Sequence, residues 1–177
     1  MPDSQDQVRF EALVLPHLDA AHNLARWLLR SRADAEDAAQ EAMLRSFRFI
    51  HVFHGGDARA WLLQIVRNTC YSWLEKSRRV NLMTEFDEEI HGSSGPTPEA
   101  LAIGVDDREM ISRALESLPA QYREVIVLRE LEGCSYKEIA EITSVPLGTV
   151  MSTLSRARRH LQASLGAPAR RKDAYEL

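Results

Sequence analysis

Apolar residues recur along this chain at helical spacing, and no stretch shows the alternation of a half-buried strand. Phe10, Leu13, Val14, Leu18, Ala21, Leu24, Ala25 and Leu28 form a first helical series, which Pro16 splits or kinks. Asp34 is expected to cap a second helix that runs to about Phe49. A short loop from His51 to Asp57 holds Gly55-Gly56, and Asp57 caps a third helix through about Arg79. The inner stripe of that third helix reads Leu62, Ile65, Val66, Thr69 and Trp73. From about Val80 to Val105 the periodicity stops, and Gly92, Ser93, Ser94, Gly95, Pro96 and Pro98 stand among acidic residues, as in a linker. So long an unstructured stretch inside one compact domain would be unusual, so it argues for two domains.

Helical periodicity returns at about Asp106 to Ser117 and again at Pro119 to Leu131. The segment Gly133 to Leu161 then reads as a helix-turn-helix. Gly133 suits the end of the preceding helix, and Ser135 with Glu138 three residues later fits a capping box. Ser144 is expected to cap the second helix of the pair, with Pro146 in its first turn. In that helix Val150, Leu154, Ala157 and Leu161 make one apolar stripe. The opposite face carries Ser152, Ser155, Arg156 and Arg159, with Arg158 on its flank. Short hydroxyls permit close approach to DNA, and arginines suit phosphates and guanine edges. An ordinary helical hairpin with a solvated arginine face is the plainer reading of the same residues. The pattern predicts an all-α protein: residues 1–80 as one helical domain, 81–105 as an acidic linker, 106–166 as the helix-turn-helix domain and 167–177 as a tail.

Composition changes this picture in one respect. A formal net charge of −4 on 177 residues gives no whole-protein attraction to nucleic acid. The charge is nevertheless segregated. Residues 58–80 hold five Lys/Arg and one Glu, residues 84–109 hold eight Asp/Glu and one Arg, and residues 145–177 hold six Lys/Arg and two Asp/Glu. Two basic modules thus flank an acidic strip. The two cysteines, Cys70 and Cys134, lie far apart and form no CxxC pair, which fits a reducing cytoplasm. No apolar run approaches the roughly 20 residues of a membrane span, and the N-terminus does not read as a signal peptide.

Two helix faces outside the helix-turn-helix carry candidate binding groups. Asp34, Asp37 and Glu41 share one edge of the second helix, continued by Leu44, Arg45 and Arg48. Early acids also suit the helix dipole, so this edge can be read as plain solvated surface. In the third helix Gln64, Arg67, Asn68 and Tyr71 lie opposite the core stripe, and amides with an aromatic ring suit unstacked bases. A polar solvent face is the commoner meaning. Trp61 and Trp73 lie nearer the apolar side and are assigned to the core or its boundary. His51 and His54 lack the companion spacing of a zinc site. With no phosphate loop and no nucleophile–base arrangement, the chain does not read as an enzyme, and no cofactor is expected.

Together these residues resemble the extracytoplasmic-function sigma factors, the minimal group of the sigma-70 family. In the front half Asp34-Ala35-Glu36-Asp37, Gln40-Glu41 and Leu44-Arg45 resemble the polymerase-clamp-binding helix of sigma domain 2. The run Ala60-Trp61-Leu62-Leu63-Gln64-Ile65-Val66-Arg67-Asn68 resembles the helix that captures the melted −10 element. In the back half Leu118-Pro119, Arg123-Glu124-Val125 and Leu128-Arg129 resemble the opening helices of sigma domain 4. Ser135-Tyr136-Lys137-Glu138-Ile139-Ala140 and Pro146-Leu147-Gly148-Thr149-Val150 resemble its −35-reading helix-turn-helix. Met151 and Thr153 stand where the family often has basic residues, and Ala38 and Ala39 replace bulkier ones.

The resemblance implies a cytoplasmic transcription factor that binds the clamp and flap of core RNA polymerase and promoter DNA, held in check by an anti-sigma partner. It assigns Asp34, Asp37, Glu41, Leu44 and Arg45 to polymerase, Gln64, Arg67, Asn68 and Tyr71 to the −10 element, and Ser152, Ser155, Arg156, Arg158 and Arg159 to the −35 element. Asp37 and Glu41 are expected on a partner-facing surface, outside the folding core. The acidic linker, with Glu85, Asp87, Glu88, Glu89 and Glu99, is expected to run extended along the nucleic-acid path of the polymerase. A regulator with a helical sensor module in front of the same helix-turn-helix, or a front half that is purely a protein-interaction bundle, remain alternatives.

Overall fold

A computed structural model of the chain describes residues 3–85 and 107–166, and every regular element among them is helical. The acidic strip from residue 86 to 106 and the tail from 167 lie outside the described residues, so the expectations placed on them have no structural counterpart here.

The front half has four helices: α1 (Ser4–Leu13), α2 (Leu18–Leu28), α3 (Arg32–Phe49) and α4 (Ala58–Glu85). Pro16 does break the first series, because a single 3₁₀ turn over Leu15–His17 separates α1 from α2. Helix α3 starts earlier than the sequence suggested. Ser31 is its cap, accepting the Asp34 amide at 3.2 Å, and Asp34 sits in the first turn. A hydroxyl three residues upstream satisfies that amide, so the carboxylate is left to the helix dipole. Asp57 caps α4 as expected, accepting the amides of Arg59 and Ala60 at 2.9 and 3.1 Å. Gly55 and Gly56 before it adopt φ +115° and +102°, backbone that favours glycine. The far end of α4 runs to Glu85, past the expected stop at Arg79. Val80-Asn81-Leu82-Met83 contains neither proline nor glycine, so nothing in it ends a helix.

Helix α3 faces its neighbours with Ala35, Ala38, Ala39 and Ala42, all at most 1% exposed. These small residues bring it close to α2 and α4, where Leu24, Leu28, Leu62, Leu63 and Val66 fill the core. The alanines that depart from the family pattern are therefore packing residues.

The back half comprises α5 (Asp107–Ser117), α6 (Ala120–Ile126), α7 (Tyr136–Thr143) and α8 (Leu147–Gly166). Beyond α6 the chain widens into a π turn over Val127–Leu131, with the Glu132 amide bonded to the Val127 carbonyl at 3.0 Å. Gly133 follows at φ +66° and closes it. The Ser135–Glu138 capping box is present in both directions. Ser144 does not cap α8: it is the left-handed residue, φ +57°, that terminates α7. The Pro146 carbonyl takes the first amides of α8, from Thr149 and Val150. Val150, Leu154 and Ala157 are buried and Leu161 is partly so, as the stripe requires.

The two halves pack together. Helix α4 lies along α7, and α2 lies against α6 and the π turn, so one cluster of buried side chains runs through both. Every buried side-chain polar atom among the described residues has a hydrogen-bond partner. No described helix is long and apolar enough to cross a membrane.

Candidate nucleic-acid interface

The exposed face of α8 matches the sequence reading. Ser152, Ser155, Arg156, Arg158 and Arg159 are all exposed, on the side of the helix away from Val150, Leu154 and Ala157. The helix is held for presentation from below: Thr143 bonds back to the Ile139 carbonyl at 2.6 Å, and Ile139 and Ile142 are buried under the turn. One member of the set has a local partner. Arg158 donates to Glu130 at 2.7 Å across the π turn, in a pair whose two side chains are both about half exposed. Such exposed pairs are weak and exchangeable, so Arg158 can still turn to a phosphate. Behind the face, Tyr122 stacks on His160 and Arg129 lies over Tyr136, bracing α6 and the π turn against the helix-turn-helix.

The acidic edge of α3 divides into two kinds of residue. Asp34, Asp37 and Arg48 are exposed, and Leu44 is 66% exposed. Glu41 is half-buried and outside the buried core, as expected, yet it is tied to the fold. Its carboxylate accepts the Trp73 indole N–H at 2.9 Å and pairs with Arg45 one turn on. The indole bond holds the Glu41 carboxyl below the usual glutamate range, with Arg45 and Lys76 adding to it and burial opposing. Beside this edge an apolar groove is lined by Phe10, Leu15, Leu18, Met43, Leu44 and Phe47.

The face of α4 holds Gln64, Arg67, Asn68 and Tyr71 on one side, as its spacing requires. Arg67 stacks over the Tyr71 ring at 4.5 Å, and Asn68 is exposed. Three of the four are engaged by the back half. Gln64 donates to the Glu141 carbonyl at 3.2 Å and to the Ser144 hydroxyl at 3.0 Å. Arg67 pairs with Glu124, and the Tyr71 hydroxyl donates to the same carboxylate at 3.0 Å. Burial pushes the Glu124 carboxyl up, against the pull of Arg67 and Tyr71, and burial beside Glu124 pushes the Tyr71 phenol up. Trp61 is half-buried and stacks on Phe53 at 4.9 Å, which places it at the core boundary as expected. Next to it a small cleft is lined by Phe53, His54, Gly55, Gly56, Trp61 and Gln64.

Residues outside the sequence-derived set also matter here. Arg123 and Glu124 are buried at 5% and 2% exposure, although nothing in the helical periodicity distinguishes them from surface charges. Their place directly before the apolar run Val125 to Leu128 was the available signal. Cys70 and Cys134 are both free and buried, and burial pushes their thiols up to about 12 and about 11. Among the described residues no three His, Cys, Asp or Glu side chains gather as a metal site needs.

Comparison with known proteins bears on both halves. Residues 13–80 match the family described as Sigma-70 region 2, and residues 108–161 match Sigma-70, region 4. The ECF RNA polymerase sigma-E factor of Escherichia coli (strain K12) is 35% identical over 162 residues, covering 86% of this chain and 84% of that protein. The ECF RNA polymerase sigma factor SigE of Mycolicibacterium smegmatis is 32% identical over 158 residues, covering 86% of this chain and 60% of that protein. Among solved structures, the sigma factor RpoE in complex with the anti-sigma factor NepR, from Bartonella quintana, is similar with a TM-score of 0.72 at 31% identity, over 89% of this chain and 97% of that one. CnrH in complex with the cytosolic domain of CnrY, at 24% identity and a TM-score of 0.60, shares the fold.

Proposed function

Because this chain belongs to the extracytoplasmic-function sigma factors of the sigma-70 family, we propose that it binds core RNA polymerase and directs it to promoters by reading a −35 element and a melted −10 element. The observation that carries this reading is the exposed serine–arginine face of α8, in the same chain as the amide–aromatic face of α4. One face has the chemistry of duplex readout, and the other has the chemistry of unstacked bases. The chain contributes no covalent step. It holds two contacts at a fixed separation, and capture of unpaired bases offsets the few kcal/mol that unstacking costs.

In this reading Asp34, Asp37, Leu44 and Arg45 meet the polymerase clamp, with Glu41 fixing the edge from behind. Gln64, Arg67, Asn68 and Tyr71 meet the −10 strand. Ser152, Ser155, Arg156, Arg158 and Arg159 meet the −35 duplex. The functional division is residues 1–80 for clamp and −10 binding and 106–166 for −35 binding and the polymerase flap, joined by 81–105. The similar RpoE is seen with an anti-sigma factor, and we extend to this chain the same kind of control. The protein acts in the cytoplasm with the polymerase.

The test is reconstitution with core polymerase and run-off transcription on a genomic promoter library. Selective transcripts that require this chain are the expected result. A chain that fails to bind core polymerase, or binds it without adding promoter selectivity, would overturn the reading.

A further inference from the structure

A cleft between α2 and α5 carries more positive charge than its surroundings neutralise. We propose that this cleft is a binding site for a nucleoside diphosphate, held by Arg26 and Arg30 of the front half and by Ser112 and Arg113 of the back half. None of these residues is assigned above to polymerase or DNA, so the inference goes beyond that reading.

The cleft has a volume of about 580 Å³, and both halves of the chain wall it. Arg26 lies in the last turn of α2, and Arg30 follows just past its end at Leu29. Both are exposed, and neither side chain has a hydrogen bond or ion pair among the described residues. Arg113 reaches the same cleft from α5 and pairs with Glu109, one turn back on its own helix. Exposed pairs of that kind are weak and exchange readily. Ser112 is half-buried beside it, and its hydroxyl has no partner among the described residues.

Cations near a helix C-terminus often serve its dipole and its open carbonyls, but here that duty is already filled. Arg123, buried in the wall of the cleft, donates to the Trp27 carbonyl of α2 at 2.7 Å. It also donates to the Leu115, Glu116 and Leu118 carbonyls around the end of α5, at 3.1, 3.2 and 2.8 Å. Burial holds the Arg123 guanidinium below the usual arginine range, and the charge of Arg30 lowers it further, against a smaller pull from Glu116. Arg30 therefore adds charge to a place that is already positive. Four arginines and one acid, Glu116, line the cleft, a formal charge of +3. A diphosphate ester carries about −3 near neutral pH, whereas a single phosphate ester carries at most about −2. Guanidinium forks also match phosphate oxygens in shape. A bare diphosphate would leave much of the volume unfilled. Trp27, half-buried in the same wall, supplies aromatic surface against which a base can pack.

Titration calorimetry of the full chain with ADP, GDP and pyrophosphate, at about 0.15 M salt so that diffuse attraction is screened, tests the site. Saturable one-to-one binding of ADP or GDP is expected, with a melting temperature that rises with ligand concentration. Pyrophosphate should bind about tenfold more weakly, for want of a base to stack. Arg26→Gln combined with Arg30→Gln should weaken nucleotide binding at least about tenfold. Ser112→Asp, which sets an acid in the cleft from the other half, should weaken it comparably. Arg78→Gln combined with Arg79→Gln removes the same charge from an exposed stretch of α4 and should leave affinity unchanged. Should Ser112→Asp lose its helical signal, Arg113→Gln takes its place. Absence of saturable nucleotide binding overturns the site. An equal loss for the two arginine pairs does so too, because the attraction would then be diffuse. Full affinity in the back-half variants overturns a site shared by both halves, and pyrophosphate binding as tightly as ADP and GDP overturns the nucleoside assignment. None of these measurements involves polymerase or promoter, so they stand whether or not the sigma reading does.

Discussion

Trp73 donates its indole N–H to the Glu41 carboxylate at 2.9 Å, and this bond ties α3 to α4 at their exposed edge. The carboxylate also holds Arg45, so one acid organises both the surface charge and the helix junction. The two roles respond differently to acid. The Glu41 carboxyl titrates below its ordinary value in the fold, so the unfolded chain takes up the proton first as pH falls. Its stabilisation is therefore complete above the unfolded pKa and is lost as pH falls through the lower, folded one. Melting temperature followed from about pH 6 to pH 3 should fall more steeply for wild type than for Glu41→Gln. Parallel acid limbs would show that the Trp73 bond carries no linked proton.

The same bond separates two acids that the sequence placed together. Asp37 is exposed on α3, with its backbone as its only structural duty, whereas Glu41 is tied to Trp73. Asp37→Lys should weaken core-polymerase binding and leave the melting temperature within experimental error. Glu41→Ala should weaken binding and also lower stability by about 1 kcal/mol, the usual net value of one intramolecular hydrogen bond. Binding assays and thermal melts on the two single variants decide it. Equal melting temperatures for both would return Glu41 to the surface, and unchanged affinity for Asp37→Lys would remove that edge from the polymerase contact.

The turn before α7 makes a stability prediction independent of any partner. Ser135 and Glu138 satisfy each other's backbone amides, and Gly133 holds φ +66° just upstream. Ser135→Ala should cost about 1 kcal/mol through the lost cap. Gly133→Ala meets nothing within 4 Å of the added methyl, so its cost is conformational alone, again about 1 kcal/mol. Denaturant melts of the full chain measure both. A neutral Gly133→Ala would mean that the turn relaxes to another backbone conformation.

Local chemistry made much of this legible in the sequence. The helices, the Pro16 break, the Asp57 cap, the Ser135–Glu138 box and the apolar stripe of α8 all depend on residues a few positions apart, and periodicity and capping act at that range. Errors arose where two local signals competed. Ser31 outcompetes Asp34 as cap because its hydroxyl lies three residues ahead of an amide that needs it. Ser144 looked like a cap but takes the left-handed turn. Helix α4 outran Arg79 because no residue stops it. The α8 face was readable because, among the described residues, the fold outside α8 engages only its flanking Arg158, through Glu130. The contacts of Glu124 with Arg67 and Tyr71, 57 and 53 residues away, were not. Pairings at that range follow from how the two halves dock, and no pattern along the chain encodes it.

The arginines of α8 differ in what they leave free, and that difference predicts their ranking at the −35 element. Arg156 and Arg159 are exposed beside Ser152 and Ser155, while Arg158 begins in a pair with Glu130. An arginine bonded to a guanine edge costs about 1–3 kcal/mol when lost and relaxes specificity at one position. An arginine on a phosphate weakens all sequences alike and lowers the salt slope by about one unit. Arg158 must exchange one anion for another, so its alanine variant should lose less than either neighbour. Because the −10 contacts stay constant, holoenzyme binding to one promoter duplex across salt concentrations isolates these terms. Arg156→Ala and Arg159→Ala should each show one of the two signatures, and Arg158→Ala a smaller change in slope. Should Arg158→Ala prove the most damaging of the three, the Glu130 pair would have to be an ordering contact for the bound state. Unchanged affinity and slope for all three would reduce the face of α8 to solvated surface.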